Sequence, residues 1–373
     1  MFKKLKFKTI KASLTMKSEI KIFCKELSAE EVVEILHLLK RNKNVESFTL
    51  IGSPINNEGA SALIEVLRTN KTLTHLTLSR TFTDGFLDHK KFLEIAEALG
   101  KNQTLTKLDL SFNNLGGKAV LAIFNALKKH CNYVLRDLNL QGVELYEWQY
   151  VEIHPHLFYP TFEGVFLDQK GEEEMLMAFA NNSSLLNLNL ASNNLTSDRL
   201  KKILDAFQYN RTLLSLHLGF DFINDNLVSS ISSLLCANEH LRVLDLSTTT
   251  VHCISVTSLK LIVESLEKNT TILKISMPRI EYWRHEKSLV DSLDEYFMRL
   301  LERNHNFFNR LQSAEREKIP SDEINIANSQ LILRSLDSEN YSPALPEERV
   351  HGFFSNKKTN NLNELDYTPK PQI

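Results

Sequence analysis

Two hydrophobic rhythms alternate along most of this chain. The short one is seen in Leu105-Thr106-Lys107-Leu108-Asp109-Leu110-Ser111-Phe112-Asn113-Asn114-Leu115, and Leu185 to Leu195 repeats it position for position. Its apolar triplet recurs as Val45/Phe48/Leu50, Leu73/Leu76/Leu78, Leu135/Leu138/Leu140, Leu213/Leu216/Leu218, Leu241/Leu244/Leu246 and Ile272/Ile275/Met277. Within each triplet apolar and polar residues alternate, which predicts a short strand with one buried face. The second rhythm follows the first: Leu200, Ile203, Leu204 and Phe207, then Leu259, Ile262, Val263 and Leu266, are spaced as one stripe of a helix. Successive triplets start 28, 32, 30, 50, 28, 28 and 31 residues apart.

An asparagine stands three residues before each strand: Asn42, Asn70, Asn102, Asn132, Asn182, Asn210, Asn238 and Asn269. With only 11 glycines in the chain, these asparagines are expected to close each helix in the left-handed conformation that Asn tolerates. A unit of strand, loop, helix and return cannot bury its own apolar face, but a stack of units buries a continuous core. The expected fold is α/β: a right-handed solenoid of about 8–10 repeats, bent into a horseshoe, with a parallel sheet inside and helices outside.

The pattern L-x-x-L-x-L-x-x-N-x-L, with its helical second half, resembles the ribonuclease-inhibitor-like class of leucine-rich-repeat proteins over residues 14 to 311. That class includes ribonuclease inhibitor, the activator of the Ran GTPase, the repeat half of tropomodulin, and bacterial effectors delivered into eukaryotic cells. The resemblance implies fold more than function, because the shared residues are the buried ones. The asparagine expected after the strand is present at Asn113 and Asn193 but replaced at Ser53, Thr81, Val143, Asp221 and Thr249. The hydrogen-bond ladder along that edge is therefore expected to be patchy. The cysteine-rich alternation of ribonuclease inhibitor is absent, and its ligand is not carried over.

The array has distinct ends. Residues 1–13 form a basic arm before a degenerate first unit with strand positions Ile20 and Ile22. Leu289, Leu293, Phe297 and Leu300 predict a closing helix, with Phe307, Phe308 and Leu311 as a lid on the last repeat. The 50-residue unit contains an irregular segment, 145–166, with Trp148, Tyr150, Phe158, Tyr159 and Phe162. It is either a degraded repeat with its strand at Phe162/Val165/Leu167 or a rim insertion after the strand at Leu138. Its aromatics either form a contact patch or fill the space of a missing helix. Residues 312–373 lose the leucine pattern and read as a polar, partly disordered tail with a helix through Ile324 to Leu336.

Apolar content is 42 %, charged content 24 % and formal net charge −2. No bulk field points to nucleic acid. No apolar run suits a transmembrane helix, and no apolar core of a signal peptide follows the first lysines. The four cysteines form no CxxC and read as reduced thiols of a cytoplasmic protein. A bacterial effector would reach the host cytosol by a route without a signal peptide. His154-Pro155-His156 has no third ligand placed by the sequence, so no metal site is expected. There is no P-loop, GxSxG or HExxH, and no cofactor motif. The reading is a non-enzyme that takes a protein partner, a eukaryotic host protein in the effector case.

The candidate contact residues are those between the strand leucines, which face out of the inner sheet. Asp109, Asp137, Asn139, Asn187, His217 and Asp245 form a small, polar, mildly acidic set suited to a partner with a basic or hydrogen-bonding patch. Arg80, Phe112 and Phe220 stand just past the strands, on the rim, where aromatic and Arg side chains suit binding hot spots. The polar row would equally be solvated in a solenoid without a ligand there, and either Phe could turn into the core. Two further readings are a regulator of a small GTPase and an actin-binding repeat protein. The latter lacks tropomodulin's N-terminal helical regions.

Overall fold

The structure, a computed structural model, describes residues 2–23, 27–82, 89–143, 167–219, 223–247, 253–282 and 284–318. The chain begins with α1 (Phe2–Met16) and then alternates strand and helix. In order these are β1 (Glu19–Phe23), α2 (Ala29–Lys40), β2 (Ser47–Ile51), α3 (Asn57–Thr69), β3 (His75–Ser79) and α4 (His89–Lys101). Then come β4 (Lys107–Asp109), α5 (Gly116–Lys129), β5 (Asp137–Asn139), α6 (Gln169–Asn181), β6 (Asn187–Asn189), α7 (Ser197–Phe207) and β7 (Ser215–His217). The array ends with α8 (Val228–Ala237), β8 (Val243–Asp245), β9 (Cys253–Ser255), α9 (Val256–Lys268), β10 (Lys274–Ser276), β11 (Arg279–Glu281) and α10 (Lys287–Lys318).

Nine strands, β1 to β8 and then β10, form one parallel sheet in chain order. This is the α/β leucine-rich-repeat solenoid that the periodicity predicts. Each strand leucine meets its counterpart: Phe48, Leu76, Leu108, Leu138, Leu188, Leu216, Leu244 and Ile275 are consecutive partners in register. All are buried, and they meet helix residues such as Leu63, Phe124, Ile203 and Ile262 in one core running the length of the stack. Side chains that accept backbone N–H bonds start the helices: Ser28 in a capping box with Glu31, then Asn56, Asp168, Thr196 and Ser255. A second pair, β9 with β11, lies outside the main sheet and was not anticipated.

The repeated asparagines correct the sequence reading. Asn70, Asn182, Asn238 and Asn269 are extended, with φ −68, −65, −91 and −83° and ψ near 118–135°, not left-handed. Their side chains do the work instead. Asn238 Nδ2 donates to Phe207 O at 2.9 Å and Asn210 O at 3.0 Å, one repeat back, while its Oδ1 accepts from the backbone of His240 and Leu241 at 2.8 Å. Asn70, Asn132 and Asn210 repeat the arrangement. Each asparagine thus satisfies orphan carbonyls at a helix end and orphan amides at a strand start. Asn304, fully buried in α10, extends the series to the cap by donating to Asn269 O and Ile272 O.

Other expectations change at the ends and at the long repeat. The basic arm is helical from Phe2 onward, and the same helix continues to Leu14, which packs into the core. At the far end the core is closed by Val290, Phe297, Leu300 and Leu301, whereas Phe307 and Leu311 are about half exposed (49 % and 47 %) and form no lid. Phe308 lies 5.8 Å from the Arg242 guanidinium. α10 continues through the expected tail boundary at 312 as far as Lys318. β5 pairs directly with β6, so no strand of a degraded repeat stands between them. The extra residues are an insertion between β5 and α6, and positions 144–166 lie outside the described residues. So do the expected helix at 324–336 and the rest of the tail.

Candidate functional site: the concave face and its rim

Parallel register turns scattered sequence positions into rows. Thr49, Thr77, Asp109, Asn139, Asn189, His217, Asp245 and Ser276 form one row across the inner sheet. Lys107, Asp137, Asn187 and Ser215 lie in the row beside it. The six strand residues singled out in the sequence therefore share one surface, in two adjacent rows.

The rows are bonded within themselves. Asp137 Oδ2 meets Lys107 Nζ at 3.1 Å, and its Oδ1 accepts from Asn187 Nδ2. Asp109 Oδ1 accepts from Ser111 N at 2.8 Å, and Asn139 Oδ1 from Gln141 N at 3.0 Å. Burial pushes the Asp109 carboxyl above its ordinary range, against hydrogen bonds from Ser111 and Asn139. Burial would also raise Asp245, but hydrogen bonds from His217 and Ser247 hold it below the usual carboxylate value. The mildly acidic character read from the sequence is thus partly offset: Asp137 faces a lysine, and Asp245 is held by hydrogen bonds from His217 and Ser247.

His217 joins Ser215 to Asp245. Its Nε2 is 2.8 Å from Ser215 Oγ, and its Nδ1 is 3.4 Å from Asp245 Oδ2. The chain of contacts has the order of a serine relay, but Ser215 is 2 % exposed. The adjacent strand amides are used in the ladder, for example Ser215 N to Leu186 O at 2.9 Å, so they cannot serve as an oxyanion hole. The trio braces the sheet face.

The rim is the more unusual surface. Gly52, Arg80, Phe112, Gly142 and Ser192 occupy the same place in successive repeats, and all have positive φ: 76, 55, 55, 59 and 57°. The shared conformation has one cause. The N–H of each donates across to the next repeat: Gly52 to Ser79 O, Arg80 to Ser111 O, Phe112 to Gln141 O, Gly142 to Ala191 O and Ser192 to Gly219 O, at 2.7–3.1 Å. The turn thereby carries inter-repeat bonding past the end of the sheet. Glycine takes this backbone freely, whereas a bulky Phe does so at a cost. The Phe112 ring does not enter the core. It lies across Gly142, where an added Cβ would come within 2.8 Å of the ring, and the exposed Arg80 guanidinium sits 4.9 Å from its centroid. Phe220 lies outside the described residues. Sequence reasoning placed Arg80 and Phe112 on this rim but missed their left-handed backbone. The signal was present in Gly52 and Gly142, which stand at the same repeat position.

The edge asparagines bond where they occur. Asn113 Nδ2 donates to Leu78 O and Leu110 O, and its Oδ1 accepts from Thr81 N and Phe82 N. Asn193 does the same toward Leu140, Leu190 and Val143. Among the described residues no group of three or more His, Cys, Asp or Glu could hold a metal ion, and no helix is long and apolar enough to cross a membrane.

Comparison with known proteins gives similarity of the same kind. A family model described as Leucine Rich repeat matches residues 101–124, which span β4 and its flanks. Leiomodin-3 of Homo sapiens is 31 % identical over 103 residues, covering 26 % of this chain and 17 % of that protein. Protein TORNADO 1 of Arabidopsis thaliana is 34 % identical over 110 residues, covering 28 % and 8 %. The chain thus spans less than a fifth of either relative. Among solved structures, the leucine-rich-repeat-containing protein LegL7 of Legionella pneumophila aligns with a TM-score of 0.42 at 17 % identity, over 73 % of this chain and 76 % of that one. Leiomodin-1 actin-binding site 2 aligns with a TM-score of 0.35 at 20 % identity, over 41 % and 82 %.

Proposed function

We propose that this chain is a non-catalytic binding module that takes a protein partner on its concave face and strand-end rim. The observation that carries the reading is Phe112. A bulky residue is held at φ 55° where a neighbouring repeat uses glycine, and its ring stays on the surface under an arginine. Strained backbone that holds a partly exposed aromatic ring on the rim, outside the core, is what a contact site retains and a purely structural turn would discard. Asp109, Asp137, Asn139, Asn187, His217 and Asp245 form the polar floor beside it, and Arg80 and Phe112 the rim anchors. Phe220 holds the same position in the sequence repeat as Arg80 and Phe112.

The finer proposal is an effector that acts on a eukaryotic host protein. Its support is the resemblance of the repeat and the polar composition of 312–373. The domain division proposed with it is a solenoid over 14–311 flanked by the arm and the tail. A second reading is actin binding. The sequence likeness to leiomodin-3 supports it, and it needs no catalytic group either. Regulation of a small GTPase is the third.

The deciding experiment is cross-linked affinity capture from eukaryotic lysate. It compares wild type with Asp109→Arg/Asp137→Arg/Asp245→Arg and with Arg80→Glu/Phe112→Ala. Loss of one captured protein from both variants is the expected result, while retention by both removes the concave face and rim as the site. Co-sedimentation with actin filaments, and GTP hydrolysis by a panel of small GTPases, sort the three readings.

A further inference from the structure

The two ends of the solenoid are closed by helices of different character. α10 mixes Asp291, Asp294, Glu295 and Glu302 with Arg299, Arg303 and Arg310. The other end carries one sign: residues 1–18 include six lysines and no carboxylate, and the first acid is Glu19. α1 is seated by Leu14, which is 2 % exposed, with Phe7 and Ile10 packed beside it, and Lys11 reaches Glu34 of α2. Positions 7, 10 and 14 are one helical stripe, and that stripe supplies what a cap needs.

A second stripe runs along the opposite side of the helix through positions 5, 9, 12 and 16. Ala12 and Met16 on it are exposed, Met16 to 83 %, and Leu5 shares the register. Positions 4 and 8, both lysine, flank that stripe, and Lys8 and Lys17 are exposed. A terminal repeat kept soluble by its cap needs a polar outer face; this one adds apolar side chains between lysines.

We propose that this N-terminal end is a docking surface for an anionic lipid bilayer, with α1 lying along the headgroup layer. Lysines answer the negative surface charge, and apolar residues between them enter the headgroup–acyl boundary, which is the composition of an interfacial helix. A nucleic-acid arm would use the charge but leave the exposed Met16 without a role. The α1 surface uses none of the contact residues named for the proposed function, so it stands apart from that reading.

The test is co-sedimentation of the full chain with vesicles of phosphatidylcholine containing about 30 % phosphatidylserine, and with vesicles of phosphatidylcholine alone, in about 0.1 M and about 0.5 M salt. Binding is expected on the anionic vesicles at low salt only. Each lysine removed weakens it about fivefold, so Lys4→Glu/Lys8→Glu/Lys17→Glu abolishes it. Met16→Ser, on an exposed side chain, lowers it several-fold with an unchanged urea midpoint, which separates the effect from misfolding. The proposal is overturned by no binding to anionic vesicles, by equal binding to neutral ones, by variants that bind as wild type, or by retention on single-stranded RNA without vesicle binding.

Discussion

The two edges of the solenoid solve the same problem in opposite ways. Where the chain enters each strand, one residue type is repeated: Asn70, Asn102, Asn132, Asn210, Asn238 and Asn269 are all buried, and each side chain bonds backbone at both its ends. Where the chain leaves, the backbone is repeated and the residue is not: Gly52, Arg80, Phe112, Gly142 and Ser192 share positive φ. At the entry edge the side chain makes the inter-repeat bond, so only asparagine's paired donor and acceptor will serve. At the exit edge the main chain makes it, so the side chain is released to vary. A solenoid can place recognition only where side-chain identity is free, which on this side of the molecule means the exit rim and the outward strand positions rather than the entry edge.

The largest expected effect tests the entry edge. Asn238→Ala removes four hydrogen bonds from a site that is 5 % exposed, leaving Asn210 O and the amides of His240 and Leu241 without that partner, and should cost about 3 kcal/mol or more in urea unfolding. A loss below about 1 kcal/mol would mean that packing, not the asparagine spine, couples the repeats. A smaller effect tests the exit rim. Gly142→Ala combines φ +59° with a Cβ only 2.8 Å from the Phe112 ring and should cost about 2 kcal/mol. Phe112→Ala in the same chain should recover roughly half of that, leaving the left-handed strain of about 1 kcal/mol. Strict additivity of the two changes would show that ring and turn are not coupled.

The smallest effect concerns charge on the sheet. Burial raises the Asp109 carboxyl above its reference of 3.8, so the ionised form is disfavoured in the folded state. Its contribution to stability is complete below the unfolded value and is lost as pH rises through the folded one. Asp109→Asn should therefore be slightly more stable than wild type at pH 7, and the difference should close as pH falls toward 3.8. Thermal unfolding across that range reads it directly, and a gap that widened on acidification would refute the assignment. Asp245, held below its ordinary value, has the opposite sign: its contribution is present above the unfolded value and is lost as pH falls through the folded one.

The fold was legible because its determinants are periodic. Leu108 and Leu188 are buried for the same reason, so a single pattern read many times predicts every strand of the main sheet. The candidate residues were legible as positions, since strand alternation tells which side chain faces out. Their states were not. Nothing local to Asp137 shows that Lys107 and Asn187 hold it, because those partners come from neighbouring strands 30 and 50 residues away. The choice between a degraded repeat and an insertion after β5 stayed open in the sequence for a related reason. Phe162, Val165 and Leu167 match a strand in spacing, but membership of a sheet is decided by a vacant neighbour, and β5 is already paired with β6.

The sequence by itself thus determined the repeat, the inner and outer faces, and the need for something polar at each strand entry. Tertiary structure decided what that polar residue does, which acids keep an unpaired charge, and that Phe112 lies on the surface across Gly142. The physical reason is range. Period and alternation are properties of neighbours along the chain, whereas a hydrogen bond from one repeat to the next, or a ring resting on another repeat's glycine, exists only once the units have stacked.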